Sequence, residues 1–237
     1  MDMSAENISE KTKCPLNHAL RGHFDLLKKT ILFENMTDEK IAGAIDALKG
    51  RKVLYEKDEF LHFPYTQMNS FGIVLKGAVC VCMDDMEGNR MIMSEVMPQN
   101  AFGESLCYLK ITDSPMYAYA LLPSEVLWLS VETLFKDTKK TEAEVVLEQR
   151  FTAMLAARCL KMNDRIQVLS KIGLRDKITT YFAQLSEKEK SQTFNIPMSR
   201  DDFAAYLGVN RSSLSRELSN MKKEKIIEYS GRSVRIL

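Results

Sequence analysis

A short segment near the C-terminus combines two arginines with a run of hydroxyl side chains. Residues 210–218 have the sequence Asn-Arg-Ser-Ser-Leu-Ser-Arg-Glu-Leu. Asn210 is suited to cap a helix, and the spacing of Leu214, Leu218 and Met221 predicts that one helix face is buried. The opposite face would present Arg211, Ser212, Ser213, Ser215 and Arg216. Small hydroxyl residues allow such a helix to enter the major groove of DNA closely, and arginines reach guanine edges or phosphates.

The flanking residues predict the elements that would hold this helix. Ser199, followed three residues later by Asp202, predicts a capped preceding helix, and Gly208 suits the turn between the two helices. Residues 226–229 and 233–236 predict a β-hairpin that forms a wing. Helix, turn, helix and wing together are typical of a DNA-binding module, for which we expect phosphate contacts from Lys222, Lys223 and Arg232.

Charge is divided unevenly along the 237 residues. Residues 171–237 carry 13 Lys and Arg against 8 Asp and Glu, whereas residues 1–170 carry 20 against 24. A basic segment joined to an acidic one is typical of a nucleic-acid-binding domain attached to a different domain. No run approaches the roughly 18 apolar residues of a membrane span, and the N-terminus lacks a basic and then apolar leader. We therefore expect a cytoplasmic protein that does not bind membranes.

The middle of the chain changes from a period of two to a helical period. Residues 53–129 favour several short strands, predicted at 71–83, 90–96, 116–122 and 126–129, and typical of a β-barrel or roll. Apolar residues then recur every three or four positions and predict a helix of roughly 42 Å over residues 142–170. One small β domain would not cover such a helix, so we expect a symmetric partner helix, with packing entirely within the chain as the alternative. The apolar stripe consists of Leu147, Phe151, Leu155, Cys159, Met162, Ile166 and Leu169.

Three blocks of sequence resemble the CRP/FNR family of bacterial regulators, and the resemblance covers essentially the whole chain. Residues 72–81, Gly-Ile-Val-Leu-Lys-Gly-Ala-Val-Cys-Val, resemble the family's β-roll strand. Residues 102–104, Phe-Gly-Glu, stand where members that bind cyclic nucleotides have their phosphate-binding cassette, and residues 208–217 resemble the recognition helix. The resemblance implies an α+β fold. Its parts would be an N-terminal segment (1–22), a β-roll sensor domain like a cyclic-nucleotide-binding domain (23–141), a dimerisation helix (142–170) and a winged helix-turn-helix (171–237).

The same resemblance implies an allosteric, homodimeric transcription activator. Such a protein would bind an inverted-repeat operator in double-stranded DNA, contact RNA polymerase and respond to a small-molecule effector. An enzyme on the same β-roll, such as a metal-dependent cupin, would need several converging histidines. Of the three histidines, His18, His23 and His62, just one lies in the β region. We therefore expect neither an enzyme nor a metal site.

Departures from the family pattern bear on the effector. Relatives that bind cyclic AMP have an Arg-Ser or Arg-Thr pair where this chain has Ser114 and Pro115, so a cyclic phosphate would lack its bidentate partner. Met162 and Asn163 replace the hydroxyl pair that would meet the adenine. We expect an effector other than cyclic AMP; the candidate pocket residues are Phe102, Gly103, Glu104, Ser114, Met162 and Asn163. On the recognition helix, Ser212 replaces the Glu of many relatives, which predicts a different half-site.

The five cysteines leave the cofactor unknown and the sensing mechanism open. Cys14 is the single cysteine in the region where iron–sulfur relatives have several, so we expect no such cluster. Cys14 with His18 and His23 nearby leaves a haem-sensing alternative open. Cys80 and Cys82 face one side of a strand, so a strained disulfide or a soft-metal site stands beside simple buried packing. A DNA-binding protein without an effector is a further alternative.

Overall fold

The computed structural model describes residues 20, 22–84, 87, 90–132, 134–135 and 140–237. The chain divides into two compact units, Met1–Ala156 and Ala157–Leu237. Cys14 and His18 lie outside the described residues. Among the helices of the described part, none is both long enough and apolar enough to cross a bilayer.

The first unit is built on one antiparallel sheet. Its strands are β1 (Arg51–Tyr55), β2 (Phe60–His62), β3 (Phe71–Asp84), β4 (Arg90–Val96), β5 (Ala101–Phe102) and β6 (Tyr117–Leu129). The strand order is β1-β6-β3-β4, with β2 also paired to β6 and β5 to β3. Three helices accompany the sheet: α1 (Phe24–Leu27), α2 (Asp38–Ala47) and α3 (Glu104–Leu109). The predicted strands at 71–83 and 90–96 are thus confirmed.

The two strands predicted at 116–122 and 126–129 form one strand, β6, so that prediction was wrong. Pro123 lacks an N–H, but the pairing with β3 shifts register on either side of Lys76 and continues. The hydroxyl of Ser124 accepts a bond from the Ala78 N–H at 3.1 Å. Gly77 has φ of 83°, and a Cβ there would lie 2.3 Å from Ser124 Oγ. A glycine and a hydroxyl therefore carry the strand past the proline.

The long helix α4 (Glu142–Leu169) has the predicted extent, but its apolar stripe is divided. Leu147 and Phe151 are fully buried in the core of the first unit, where Phe151 packs against Phe71 with ring centroids 5.4 Å apart. Leu155 is partly buried against the same core. Leu147 and Phe151 were wrongly assigned to a dimer interface, because periodicity reports burial but not which chain supplies the cover, while the assignment of Leu155 stays a prediction.

Farther along α4, the same stripe is exposed in the single chain. Cys159 is exposed, and Met162 and Ile166 are 57% and 61% exposed. Leu160, next to Cys159, is 65% exposed. Large apolar side chains clustered on one exposed helix segment are typical of a surface that another protein covers.

The second unit contains the predicted helix-turn-helix and wing. After α4 come α5 (Leu174–Glu189), β7 (Thr193–Asn195), α6 (Arg200–Leu207), α7 (Arg211–Lys223), β8 (Ile227–Ser230) and β9 (Ser233–Ile236). The three strands form one antiparallel sheet in the order β7-β9-β8. The predicted capping box is present, because Ser199 Oγ accepts from the Asp202 N–H at 3.1 Å and Asp202 Oδ2 accepts from the Ser199 N–H at 3.2 Å. This cap fixes the start of α6.

Candidate DNA-binding surface and sensor site

Helix α7 has one buried face and one exposed face. Asn210 caps it, with Oδ1 accepting from the Ser213 N–H at 2.8 Å. Leu214, Leu218 and Met221 are fully buried in the core of the second unit. Burying each of them contributes about 1.5–3 kcal/mol, which fixes the rotation of the helix. The opposite face is thereby held in solvent.

The side chains predicted to contact bases lie on that exposed face. Arg211, Ser212, Ser215 and Arg216 are exposed, and Ser213 is half-buried. Arg211 forms an ion pair with Asp201 at 3.1 Å, and both side chains are 65% exposed. Such an exposed pair contributes little stability, so Arg211 exchanges this partner for another anion at small cost. The Ser212 hydroxyl donates to Asn210 Oδ1 at 2.8 Å, which leaves its lone pairs to accept from a base.

The wing is joined to both helices of the motif through Tyr229. The Arg200 guanidinium lies 5.3 Å from the centre of the Tyr229 ring, and Lys222 Nζ lies 5.2 Å from it. Arg200 also donates to the carbonyl oxygen of Gly231 at 3.1 Å, beside the exposed Arg232 in the wing turn. Arg200 is a basic residue at this surface that the sequence interpretation missed. An arginine at the first position of the helix before the turn was its one available signal.

A network of charged side chains joins α7 to α5. Arg175 donates to Glu217 Oε1 at 2.6 Å and to both carboxylate oxygens of Glu224 at 2.7 and 2.8 Å. These hydrogen bonds lower the pKa of Glu224 and raise the pKa of Arg175. Glu217 is the one acidic side chain within α7, and Arg175 holds it. Sequence reasoning missed this network, because its partners are 42 and 49 positions apart.

The cassette resembling a phosphate-binding site lies where β5 leads into α3. Gly103 adopts φ of 78°, and Glu104 at the start of α3 is 2% exposed. Phe102 was predicted to be one of the pocket residues. Its ring is 1% exposed and packs edge-on against Trp128 at 5.3 Å, so it belongs to the core.

The residues around this cassette differ from those that the resemblance implies for binding cyclic AMP. A Cβ on Gly103 would lie 2.1 Å from Met68 Sδ, so the side chain of Met68 covers this glycine. Ser114, which stands in the place of the phosphate-binding arginine, is buried, and its hydroxyl accepts from the Met116 N–H at 3.2 Å. Met162 and Asn163 belong to the second unit, where both are exposed.

His23, one of the residues that left haem sensing open, is engaged within the first unit. Its Nε2 lies 3.1 Å from Glu125 Oε2, which also accepts from Lys52 Nζ at 2.7 Å. Although burial opposes it, the contacts with Lys52 and His23 lower the pKa of Glu125. Among the described residues, no group of three or more His, Cys, Asp or Glu side chains is placed to hold a metal ion.

Cys80 and Cys82 face the same side of β3, as predicted. Both are free thiols without exposed surface, and their Sγ atoms are 3.3 Å apart. Cys107 is also buried, whereas Cys159 is exposed.

Comparison with known proteins assigns both units to described families. Residues 52–137 match the cyclic nucleotide-binding domain, and residues 176–237 match the Crp-like helix-turn-helix domain. Both boundaries agree with the sheet of the first unit and with the helix-turn-helix and wing of the second.

Similar proteins extend over most of the chain. The probable transcriptional regulator flp of Lacticaseibacillus casei is 27% identical over 206 residues, covering 87% of this chain and 91% of that protein. The transcriptional activator protein FnrA of Stutzerimonas stutzeri is 26% identical over 214 residues, covering 86% and 82%. The structure of FixK2 from Bradyrhizobium japonicum has the same fold, with a TM-score of 0.52 at 22% identity, covering 79% of this chain and 92% of that one. The first two of these proteins are described as transcription regulators, and with both domain matches the chain belongs to the CRP/FNR family of transcription regulators.

Proposed function

We propose that two copies of this chain bind an inverted-repeat operator in double-stranded DNA through α7 of each copy. The observation that carries this proposal is the division of α7, with Leu214, Leu218 and Met221 fully buried and Arg211 and Arg216 exposed on the other side. A two-fold dimer would place its two recognition helices in successive major grooves about 34 Å apart.

The exposed segment of α4 supports a homodimer. Cys159, Met162 and Ile166 remain our candidates for the interface, and the exposed Leu160 is added to them. We keep the division into an N-terminal segment (1–22), sensor domain (23–141), dimerisation helix (142–170) and DNA-binding domain (171–237). An effector bound in the sensor domain would act by changing the packing of the paired α4 helices.

We assign base contacts to Arg211 and Arg216, together with Ser212, Ser213 and Ser215. Each arginine can donate two bonds to the O6 and N7 of a guanine. Lys222, Lys223 and Arg232, with Arg200 added from its place beside the wing, would contact phosphates. These contacts position the module without selecting sequence.

The effector is a molecule other than cyclic AMP, since Met68 covers Gly103 and a serine replaces the phosphate-binding arginine. The description of FnrA as an activator supports activation here, which would require contact with RNA polymerase in the cytoplasm.

A pair of substitutions tests the assignment of bases and phosphates. An operator is first selected from random duplex DNA with the purified protein, and affinity is then measured on that operator and on unrelated DNA. Arg216→Ala should cost about 1–3 kcal/mol on the operator and relax one base position. Lys223→Ala should weaken both DNAs alike and reduce the salt dependence.

Lys188→Ala serves as a charge-matched control, because it removes one exposed positive charge from α5. It should leave the base preference unchanged. Equal losses on operator and unrelated DNA for both Arg216→Ala and Lys223→Ala would contradict the assignment.

A further inference from the structure

Cys80 and Cys82 lie outside the main core of the first unit. Along β3, Val79 and Val81 point into that core, while Cys80 and Cys82, which alternate with them, form a separate buried cluster with Tyr117 of β6. Tyr119 and Leu121 pack against this cluster. The thiols are therefore placed together on the opposite face of the sheet, where they are not needed to fill the core.

Aromatic side chains and one arginine cover the two thiols. Cys80 is paired with Tyr119 and Cys82 with Tyr117 across the two strands. Arg90 donates to the hydroxyls of Tyr117 and Tyr119 at 3.0 and 3.3 Å. The ring of Phe60 lies 5.8 and 6.4 Å from these two tyrosine rings.

This cover is thin and lies at the edge of the sheet. Phe60 is 40% exposed, and Arg90 is also exposed. Strand β4, which carries Arg90, is the last strand of the sheet, and its pairing with β3 shifts register between Val81 and Cys82. A small molecule would have to displace only peripheral side chains to reach the sulfurs.

The pair is near the limit of the geometry that a disulfide allows. Residues two apart on an extended strand have Cα atoms about 6.7 Å apart, at the upper end of the roughly 4.4–6.8 Å found in disulfides. Strands β6 and β4 pair with β3 on its two sides, and the pairing with β4 is irregular between Val81 and Cys82. Burial, followed by the hydrogen bond with Cys80, raises the pKa of Cys82. Cysteines that react with oxidants are instead exposed and have a lowered pKa.

The distance between the two sulfur atoms suits a single atom that is bonded to both of them. If each bond to sulfur is about 2.3 Å long, a linear sulfur–atom–sulfur arrangement places the sulfurs about 4.6 Å apart. A sulfur–atom–sulfur angle of about 90° places them about 3.3 Å apart. The observed separation is 3.3 Å. Pyramidal coordination with angles of this size is the geometry of a trivalent metalloid that carries a lone pair.

We propose that Cys80 and Cys82 together bind a trivalent metalloid, taken up as the neutral oxyacid of arsenic or antimony. Two bonds from the metalloid to oxygen break and two bonds to sulfur form. Each thiol proton leaves with one hydroxide as water, the third hydroxide stays on the metalloid, and no electron is transferred. The product is neutral, which suits a site without exposed surface, whereas a monovalent cation bound by two thiolates would leave a buried negative charge.

The trivalent metalloid bound at Cys80 and Cys82 would then be the effector of the sensor domain. That regulatory consequence rests on the proposed function, but the binding step does not. The bound atom would replace the mutual contact of the thiols and fix β3 to the tyrosines of β6 in a new arrangement.

The proposal is tested by native mass spectrometry of the full-length, reduced protein, incubated with arsenite under anaerobic conditions. One arsenic per chain is expected, with loss of two reactive thiols when the remaining thiols are counted after unfolding. Cys80→Ala and Cys82→Ala, each made separately, should both lose this arsenic. A variant with Cys14, Cys107 and Cys159 all changed to serine should keep it.

Operator binding, measured on the same samples without arsenite, separates the two proposals. If operator binding is intact but the wild-type protein takes up no arsenic, or if Cys82→Ala keeps it, the metalloid site is refuted and the DNA-binding function stands. Cooperative unfolding of both alanine variants, expected because the cluster is separate from the core, assigns the loss to the missing thiol.

Discussion

The two ends of this protein carry their candidate functional groups in opposite ways. On α7 the arginines and serines are exposed, and they follow one another along a single helix. In the β domain the corresponding candidates, Glu104, Ser114 and the Cys80–Cys82 pair, are buried and come from a helix, a loop and a strand. A surface that binds a large partner can be formed by local sequence. A site for a small effector must be assembled inside the fold.

The largest expected effect is a difference in the free energy of unfolding between substitutions in the buried and the exposed half of α4. Phe151→Ala removes a fully buried ring from the first unit and should destabilise it by about 3–5 kcal/mol. Ile166→Ala changes a side chain that is exposed in the single chain, so at protein concentrations where the chain is monomeric it should alter the free energy of unfolding by no more than about 0.5 kcal/mol. Chemical denaturation measures both values.

Sedimentation of the same two proteins sharpens the test. Ile166→Ala should shift the equilibrium towards monomer, since its side chain is 61% exposed and is assigned to the interface. A large loss of stability with an unchanged oligomeric state in Ile166→Ala would show that its own chain covers this residue.

A smaller, pH-dependent effect is expected from the ion pair of the β domain. Contacts with Lys52 and His23 lower the pKa of Glu125 below its ordinary value of 4.5. A lowered pKa in the folded state stabilises the fold above the unfolded value, and this stabilisation is lost as the pH falls through the folded value. Wild-type protein should therefore melt at a higher temperature than Glu125→Gln at pH 7.

The difference between these two melting temperatures should narrow as the pH is lowered below about 4.5, the ordinary carboxyl value. A difference that stays constant from pH 7 down to about pH 2.5 would exclude the ion pair as its source. Glu132→Gln, which changes an exposed carboxylate near Lys49, is the matched control.

The smallest effect is expected for a substitution beside the exposed face of α7. Asp201→Asn removes the partner of Arg211 from a pair that is 65% exposed on both sides, so stability should hardly change. Operator affinity should rise about two- to fivefold, because Arg211 is released and a negative charge near the phosphates is lost. Fluorescence anisotropy at two salt concentrations measures this change. Weaker binding would mean that Asp201 itself holds Arg211 in its binding position.

Local patterns predicted most of the second unit. The Ser199 cap, the burial of Leu214 and Leu218 and the hairpin after α7 all depend on residues close together in sequence. The Arg175 network could not be predicted, because its carboxylates come from a different helix.

The first unit was less accessible to the same reasoning. Alternation predicted the strands and the shared side of Cys80 and Cys82, but not the distance between their sulfurs. Helical period predicted the burial of Leu147 and Phe151, but not that their own domain buries them. Met68 covers Gly103 from 35 positions earlier, and no motif marks such a contact.

The position of Tyr229 between Arg200 and Lys222 has a consequence for signalling. These contacts, together with the hydrogen bonds of Arg175 to Glu217 and Glu224, connect the wing and the two helices of the motif into one DNA-binding unit. A conformational change elsewhere in the chain should therefore move this DNA-binding unit as a whole and leave its internal conformation unchanged. The two states of the regulator should thus prefer the same half-site bases and differ in the spacing between half-sites that they accept.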